Sequence, residues 1–237
     1  METRIAEVAD GIYQTTTHVE EANFSFNQYL ITGEQPMLFH TGGRAFFPLV
    51  SEQVATVTPV DSLRWVTFGH VESDESGSMN QWLAAAPQAT VAQSVIGCMV
   101  SLNDLADRPP RALADGEVLD IGGHKIRWID TPHLPHAWEA GVIYDETTRT
   151  LFCGDLFTRT GAFAPISSDD IVEPAMTAED MFHAMSLAPD SSARLRRLAD
   201  LDIATLALMH GPAFTGDCRA ALLDLADDVE KRIAAVS

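Results

Sequence analysis

Apolar and polar residues alternate in short runs along the chain. These runs predict a protein in which strands and helices alternate. Short apolar and β-branched runs between turn residues predict strands, at residues 4–9, 12–17, 26–32, 37–41, 63–68, 116–121, 125–130, 141–144, 150–153 and 205–209. Longer segments predict helices, at residues 45–57, 78–86, 178–187, 191–198 and 219–235. Gly122-Gly123 predicts a hairpin turn, and the neighbouring His124 is expected at the surface.

The predicted elements fall into two comparable halves, each with strands in meander-like runs and helices between them. This order favours two mixed β-sheets packed face to face with helices outside, an α/β (α+β) fold of the αββα sandwich type. No linker or low-complexity stretch interrupts the sequence. We therefore expect residues 1–237 to form a single domain.

The composition narrows the classes of function. Hydrophobic residues make up 46% of the chain, but no apolar run approaches the roughly 18 residues of a membrane helix, and the first residues do not resemble a signal peptide. A net charge of −19 argues against a nucleic-acid surface, because phosphate contacts need clustered cations. Cys98, Cys153 and Cys218 form neither a disulfide framework nor a zinc knuckle. We expect a cytoplasmic protein.

Residues of metal-binding type stand where predicted strands end. After the strand at 63–68, His70, Glu72 and Asp74 occupy alternate positions, which point the same way if the segment stays extended. Three other predicted strands are followed by similar residues, namely His133 and His136, Asp155, and His210. A charged turn or a capping group would explain one such strand end, whereas several together favour a metal site.

The order of these motifs resembles that of the metallo-β-lactamase superfamily. The phrase His70-Val-Glu72-Ser-Asp74-Glu-Ser-Gly-Ser is similar to the flavodiiron branch, whose version reads His-x-Glu-x-Asp-His-Ser-Gly-Ser. Residues 26–31 and 37–42 resemble the early strand pair of the superfamily. The likeness covers nearly the whole chain, and it implies a metallo-β-lactamase-like αββα sandwich.

Two histidines compete for one place in the motif order. His133-Leu-Pro resembles the His-Trp-Pro phrase of flavodiiron proteins, but the 19 positions from His136 to Asp155 reproduce the family spacing without a gap. We therefore assign His136 as a metal ligand and His133 as a residue beside the site.

The resemblance implies six ligands for two metal ions. They are His70, Glu72 and His136 for the first ion, Asp74 and His210 for the second, and Asp155 as the bridge. Hydrolytic relatives read His-x-His-x-Asp-His here, a nitrogen-rich set suited to zinc. Glu72 replaces the second histidine of that pattern, and its oxygen shifts the preference toward iron.

Other residues are candidates for the surroundings of the metals. Glu75 replaces the last histidine of both patterns, so it could bind metal, hydrogen-bond a ligand histidine or face solvent, and we favour the last two. His40 stands where the superfamily usually has a structural Asp. We expect with equal weight that it lies buried behind the metals or that it has no such role. The aromatic residues are expected in the core rather than around an oxygen pocket, namely Phe24, Phe26, Phe46 and Phe47.

The flavodiiron resemblance implies a non-haem diiron protein that binds or reduces dioxygen, or nitric oxide. The chain has no room for a flavodoxin domain after His210, so we expect two iron ions, no flavin in this chain, and electrons from a separate flavoprotein or rubredoxin. Flavodiiron proteins dimerise, which suggests a homodimer. The alternative is a dinuclear hydrolase with two zinc or manganese ions, whereas a binding module with a degenerate site is disfavoured because all six ligands are present.

Overall fold

The first half of the chain forms one mixed β-sheet. The computed structural model describes residues 1–236 and places seven strands in chain order across this sheet. They are β1 (Glu2–Ala9), β2 (Ile12–Val19), β3 (Phe24–Ile31), β4 (Met37–Phe39), β5 (Trp65–Thr67), β6 (Thr90–Ser94) and β7 (Arg111–Leu113). β1 to β4 pair antiparallel, whereas β4 to β7 run parallel. The parallel strands therefore end at the same edge of the sheet.

The second half forms another seven-stranded mixed sheet. Its strands are β8 (Val118–Asp120), β9 (Lys125–Asp130), β10 (Gly141–Asp145), β11 (Thr150–Phe152), β12 (Ile166–Ser167), β13 (Thr205–Ala207) and β14 (Ala213–Phe214). Their spatial order is β12-β14-β13-β11-β10-β9-β8, with β11 parallel to β13. Because of this parallel pair, the residues that follow β11 and β13 leave the sheet side by side.

Helices cover the outer faces of both sheets. They are α1 (Phe47–Ala55), α2 (Ser73–Ser76), α3 (Met79–Ala85), α4 (Val95–Gly97), α5 (Asn103–Leu105), α6 (Val172–Phe182), α7 (Ser191–Leu198) and α8 (Cys218–Val236), with a π-helical turn between α4 and α5. α8 buries a stripe that includes Leu222, Leu225 and Val229, the spacing of one helix face. Within residues 1–236, no helix is both long and apolar enough to cross a bilayer.

Three apolar layers hold these elements together. The layer between the sheets contains Tyr29, Phe39, Trp128 and Phe152, with the rings of Tyr29 and Phe152 5.3 Å apart and edge to face. A second layer joins the first sheet to α1 and α3, and a third joins the second sheet to α6, α7 and α8. The predicted αββα sandwich of two mixed sheets is thus confirmed.

The structure differs from the predicted elements mainly in short strands. β6, β7, β12 and β14 were not predicted, and they have five, three, two and two residues. β6 reads Thr-Val-Ala-Gln-Ser, and the other three have only two or three residues, so none of them presents an apolar run that stands out from loops. They form only because neighbouring strands offer backbone partners.

The helix predicted at 178–187 lies at Val172–Phe182 instead. Asp170 accepts a hydrogen bond from the backbone N–H of Val172 at 2.8 Å, which stabilises the start of the helix. Pro174 is tolerated in the first turn, where no intrahelical N–H bond is lost. The helix ends at His183, whose left-handed backbone (φ 50°) breaks the helical path.

The prediction that His124 lies at the surface was wrong. His124 is buried, and its Nδ1 lies 2.7 Å from Oδ2 of the fully buried Asp145. The hydroxyl of Thr148 donates to the same oxygen at 2.6 Å, and the N–H of Thr147 donates to Oδ1. Burial by itself would raise the pKa of Asp145, but these hydrogen bonds and His124 hold it below the usual value. This carboxylate fixes the β10–β11 turn against the turn that follows β8.

We expect Asp145→Ala to lower the free energy of unfolding by about 3–5 kcal/mol, because it leaves His124 buried without its partner. The neighbouring Glu146→Ala is the control, since Glu146 pairs with Arg127 where both side chains are partly exposed, and such a pair contributes about 1 kcal/mol or less. Urea titrations of the three proteins measure the difference.

The pKa of Asp145 also sets the pH dependence of this stabilisation. A lowered folded-state pKa contributes stability above the unfolded pKa of about 3.9 and loses it as the pH falls through the folded value. The gap between wild type and Asp145→Ala should therefore close below about pH 4. A gap that stays constant into acid would show that the charge of Asp145 does not contribute to stability.

Candidate metal centre

The loop after β5 delivers three acidic or imidazole side chains to one edge of the sandwich. Gly69 begins the loop, and its carbonyl accepts a hydrogen bond from the N–H of Gly141 in the second sheet at 2.9 Å. Glu72 keeps an extended backbone, and α2 then begins at Ser73. The segment is therefore extended at Glu72 and helical at Asp74, so it does not run straight through the motif.

Four side chains meet at this edge. Donor atoms of His70, Glu72, His136 and Asp155 all lie within 4.8 Å of one another. Nε2 of His136 is 2.9 Å from Nε2 of His70 and 3.0 Å from Oε2 of Glu72. Oδ2 of Asp155 lies 3.4 Å from the same His136 nitrogen. Both sheets contribute to the group. His70 and Glu72 follow β5 of the first sheet, whereas His136 and Asp155 follow β9 and β11 of the second.

Asp155 also faces a second group of donors. Its other oxygen, Oδ1, lies 3.3 Å from Nε2 of His210, and that nitrogen is 3.3 Å from Oδ2 of Asp74. His210 is held in place from behind, because its Nδ1 bonds the backbone carbonyl of Ser25 at 2.9 Å. The two oxygens of one carboxylate thus point to two separate sets of nitrogen and oxygen atoms.

The distances between the donor atoms, and their unpaired oxygens, suit metal coordination better than hydrogen bonding among the side chains. Six-coordinate donors about 2.1 Å from an ion lie about 3 Å apart, which matches the 2.9 Å between His70 and His136. Buried Oδ1 atoms of Asp74 and Asp155 accept no hydrogen bond among the described residues. A buried carboxylate oxygen without a donor is costly, and coordination of a cation would remove that cost.

The electrostatics of the group favour positive charge. Burial by itself would lower the pKa of His210, but Asp155 and Asp74 raise it to about 10. Hydrogen bonds to His136 and His70 hold the pKa of Glu72 below its usual value. Protons therefore occupy imidazoles that would have to release them to a metal, and metal affinity should rise with pH.

Glu75 lies behind the cluster and not in solvent. It is fully buried, its Oε2 accepts a hydrogen bond from the backbone N–H of His70 at 2.7 Å, and it lies 3.3 Å from Nδ1 of the same residue. Its Oε1 is 3.2 Å from Nε2 of the fully buried His40. Burial would raise the pKa of Glu75, but His40 and His70 hold it well below the usual value. Of the three alternatives for Glu75, the contact with a histidine of the cluster, His70, is the one observed.

His133 and His136 occupy different positions relative to the cluster. Both belong to the loop after β9, but the side chain of His133 is exposed, and its backbone turns away with φ 64°. The N–H of His133 donates to the carbonyl of Ala137 at 2.8 Å, which closes the loop. His136 therefore joins the cluster, whereas His133 lies outside it.

Two aromatic residues that were expected in the core line a cavity beside the cluster. The ring of Phe24 lies 4.5 Å from that of His210, and Phe26 lies 5.3 Å from it. Both phenylalanines border a cavity of about 360 Å³ together with Asp155 and His210. The expectation was wrong for these two, although Phe46 and Phe47 do pack against the core. Their alternate positions on β3 indicated one shared face, but not what that face meets.

The sequence matches one family model and several curated proteins. A family model described as "ODP family beta lactamase" matches residues 24–211. "Putative diflavin flavoprotein A 2" of Synechocystis sp. is 29% identical over 196 residues, which cover 79% of this chain and 33% of the relative. "Flavo-diiron protein FprA2" of Clostridium acetobutylicum is 31% identical over 109 residues, 45% of this chain and 27% of the relative. The chain spans about a third of the length of the curated relatives that it matches.

Solved structures share the fold at lower identity. Rubredoxin oxygen:oxidoreductase from Desulfovibrio gigas superposes with a TM-score of 0.84 at 16% identity, over 96% of this chain and 62% of that one. A fragment of putative diflavin flavoprotein A 5 from Nostoc sp. PCC 7120 superposes with a TM-score of 0.82 at 19% identity, over 99% and 98% of the two chains. These similarities establish the architecture.

We expect Glu75→Gln to lower the free energy of unfolding of metal-free protein by about 3 kcal/mol or more, because it removes the buried carboxylate charge that His70 and His40 face. Glu72→Gln is the matched control, since the Glu72 side chain is 51% exposed and should change stability by about 1 kcal/mol or less. Urea unfolding after treatment with a chelator measures both. Equal losses in the two variants would show that burial of Glu75 does not matter.

Proposed function

The chain belongs to the ODP family of beta lactamases, and on this premise we propose that it is a non-haem diiron protein that binds or reduces dioxygen. Nitric oxide is the second diatomic ligand in this proposal. The names of the relatives support it, since they include flavo-diiron and diflavin proteins, and one structural neighbour is a rubredoxin oxygen:oxidoreductase.

The position of Asp155 is the observation that carries the proposal. Its two oxygens face His136 on one side and His210 on the other, at 3.4 and 3.3 Å. A carboxylate between two donor sets is what a pair of ions requires, whereas a single ion would need only one set. We propose that His70, Glu72 and His136 hold the first ion, that Asp74 and His210 hold the second, and that Asp155 joins them.

The composition of the donor set supports iron rather than zinc. Three carboxylates and three imidazoles give hard oxygen donors a larger share than a nitrogen-rich zinc site would have. A pair of ferrous ions in this place would supply one electron each to a bound diatomic molecule. Phe24 and Phe26 form an apolar wall beside His210.

Repeated turnover requires electrons from outside this chain. We propose an external donor such as a flavoprotein or a rubredoxin, and a cytoplasmic location. The free, buried state of Cys98, Cys153 and Cys218 supports a reducing compartment. The apolar layer shared by both sheets supports a single functional domain.

We expect His136→Ala to remove about one iron per chain, because it deletes one of the two imidazoles of the first set. His133→Ala is the control from the same loop and should leave the iron content near wild type. Elemental analysis of protein loaded anaerobically with Fe(II) measures both. Loss of iron from His133→Ala alone would reverse the assignment.

We expect the iron-loaded, anaerobically reduced protein to develop a visible absorption band within seconds of exposure to air. Glu72→His should raise the ratio of zinc to iron and slow this reaction, because it exchanges a hard oxygen for a nitrogen. Glu21→His, at an exposed position, controls for an added histidine. A wild-type protein that retains two zinc ions from iron-replete medium, stays colourless in air and hydrolyses an ester would favour the hydrolase alternative.

A further inference from the structure

The cavity beside the cluster is much larger than a diatomic molecule requires. It measures about 360 Å³, within the range of about 300–1,000 Å³ typical of pockets for organic ligands. A molecule the size of water occupies roughly 30 Å³, and dioxygen has only two atoms. Most of this volume therefore has no use in a site that accommodates only a diatomic gas.

The cavity is lined by polar cluster residues and by mostly apolar side chains. The cluster residues include Asp155 and His210, and the apolar residues include Phe157, Met176 and Leu225. Leu225 belongs to α8 and shows that the space reaches the helix layer of the second sheet. A ligand that fills this space needs a polar head at the cluster and an apolar body.

Small residues on α6 create the room for that body. Ala175 and Ala178 are buried and border the cavity one turn apart. Glu179, the acidic residue on this wall, uses its carboxylate to accept hydrogen bonds from the N–H groups of Ala184 and Met185 at 3.2–3.3 Å. Phe182 at the rim is 47% exposed, so the cavity communicates with solvent.

The charge at the cluster selects the head group. Two divalent ions would contribute four positive charges, which offset the carboxylates of Glu72, Asp74, Asp155 and Glu179 on the cavity lining. Among the described residues, no lysine or arginine borders the cavity. Without metals these carboxylates would repel an anion, whereas each ion would present its positive charge directly to an oxygen ligand. An anionic oxygen group is therefore attracted only when the metals are bound.

We propose that this cavity binds a medium-chain carboxylate, with the carboxylate at the metal pair and the alkyl chain between α6 and α8. The head-group part rests on the proposed metal site, whereas the alkyl part rests on the cavity alone. At roughly 30 Å³ for each water-sized group, the volume holds about twelve non-hydrogen atoms, the size of decanoate.

Titration calorimetry with decanoate, acetate and decanol tests the head-group part and the alkyl part of the proposal separately. Metal-loaded protein should bind decanoate with a stoichiometry of one and at least about tenfold more tightly than acetate, because the alkyl chain buries apolar surface. Decanol should bind equally well with and without metal. Equal affinities for acetate and decanoate, or no saturable binding of decanol, would overturn the cavity proposal.

Variants on α6 locate the binding site. Ala178→Trp should weaken decanol and decanoate at least about tenfold by filling the cavity, while Thr177→Trp, on the exposed face of the same helix, should stay within about twofold. Equal affinities in the two variants would place the ligand elsewhere. If the metal proposal alone fails, decanol binding and its loss in Ala178→Trp persist, but decanoate no longer binds more tightly to metal-loaded than to metal-free protein.

Discussion

A buried carboxylate, that of Glu75, connects the strand ends from which the candidate site is built. Its side chain contacts His70 and His40, and its backbone carbonyl accepts hydrogen bonds from the N–H and hydroxyl of Thr41. Burying a charge in this way is costly unless every lone pair finds a donor. Gly69 leaves the space for it, since a Cβ there would lie 3.1 Å from the Glu75 carboxylate. The orientation of His70, and with it the first donor set, depends on this contact.

The site lies where the two sheets meet at one edge, and neither sheet supplies it alone. The first sheet contributes the loop after β5, while the second contributes the residues after β9, β11 and β13. The bond between Gly141 and Gly69 links the two edges directly. Because the inter-sheet core is packed with aromatic side chains such as Trp128 and Phe152, the sheets cannot slide without moving the donors apart.

Polar and apolar requirements are separated in space around the cluster. On one side, the buried Glu75 contacts both His40 and His70 and orients His70. On the other side, Phe24 and Phe26 present an apolar wall that opens into the cavity. This separation would let the proposed metal pair and the proposed apolar ligand occupy neighbouring volumes.

Sequence alone determined the sandwich architecture, because the hydrophobic period of each long element is local and the order of elements restricts the topology. It also indicated the six candidate ligands, because strand ends and motif spacing can be read along the chain. The short strands β6 and β12 were not predictable, since their stability comes from distant backbone partners. Only the tertiary structure decided that Glu75 is buried against His40, that His133 turns outward, and that Phe24 faces a cavity. The positions of Glu75 and Phe24 depend on contacts between residues far apart in the chain, and local pattern carries no information about such contacts. The conformation of His133 depends on a loop closure, by its hydrogen bond to Ala137, that the hydrophobic pattern does not encode.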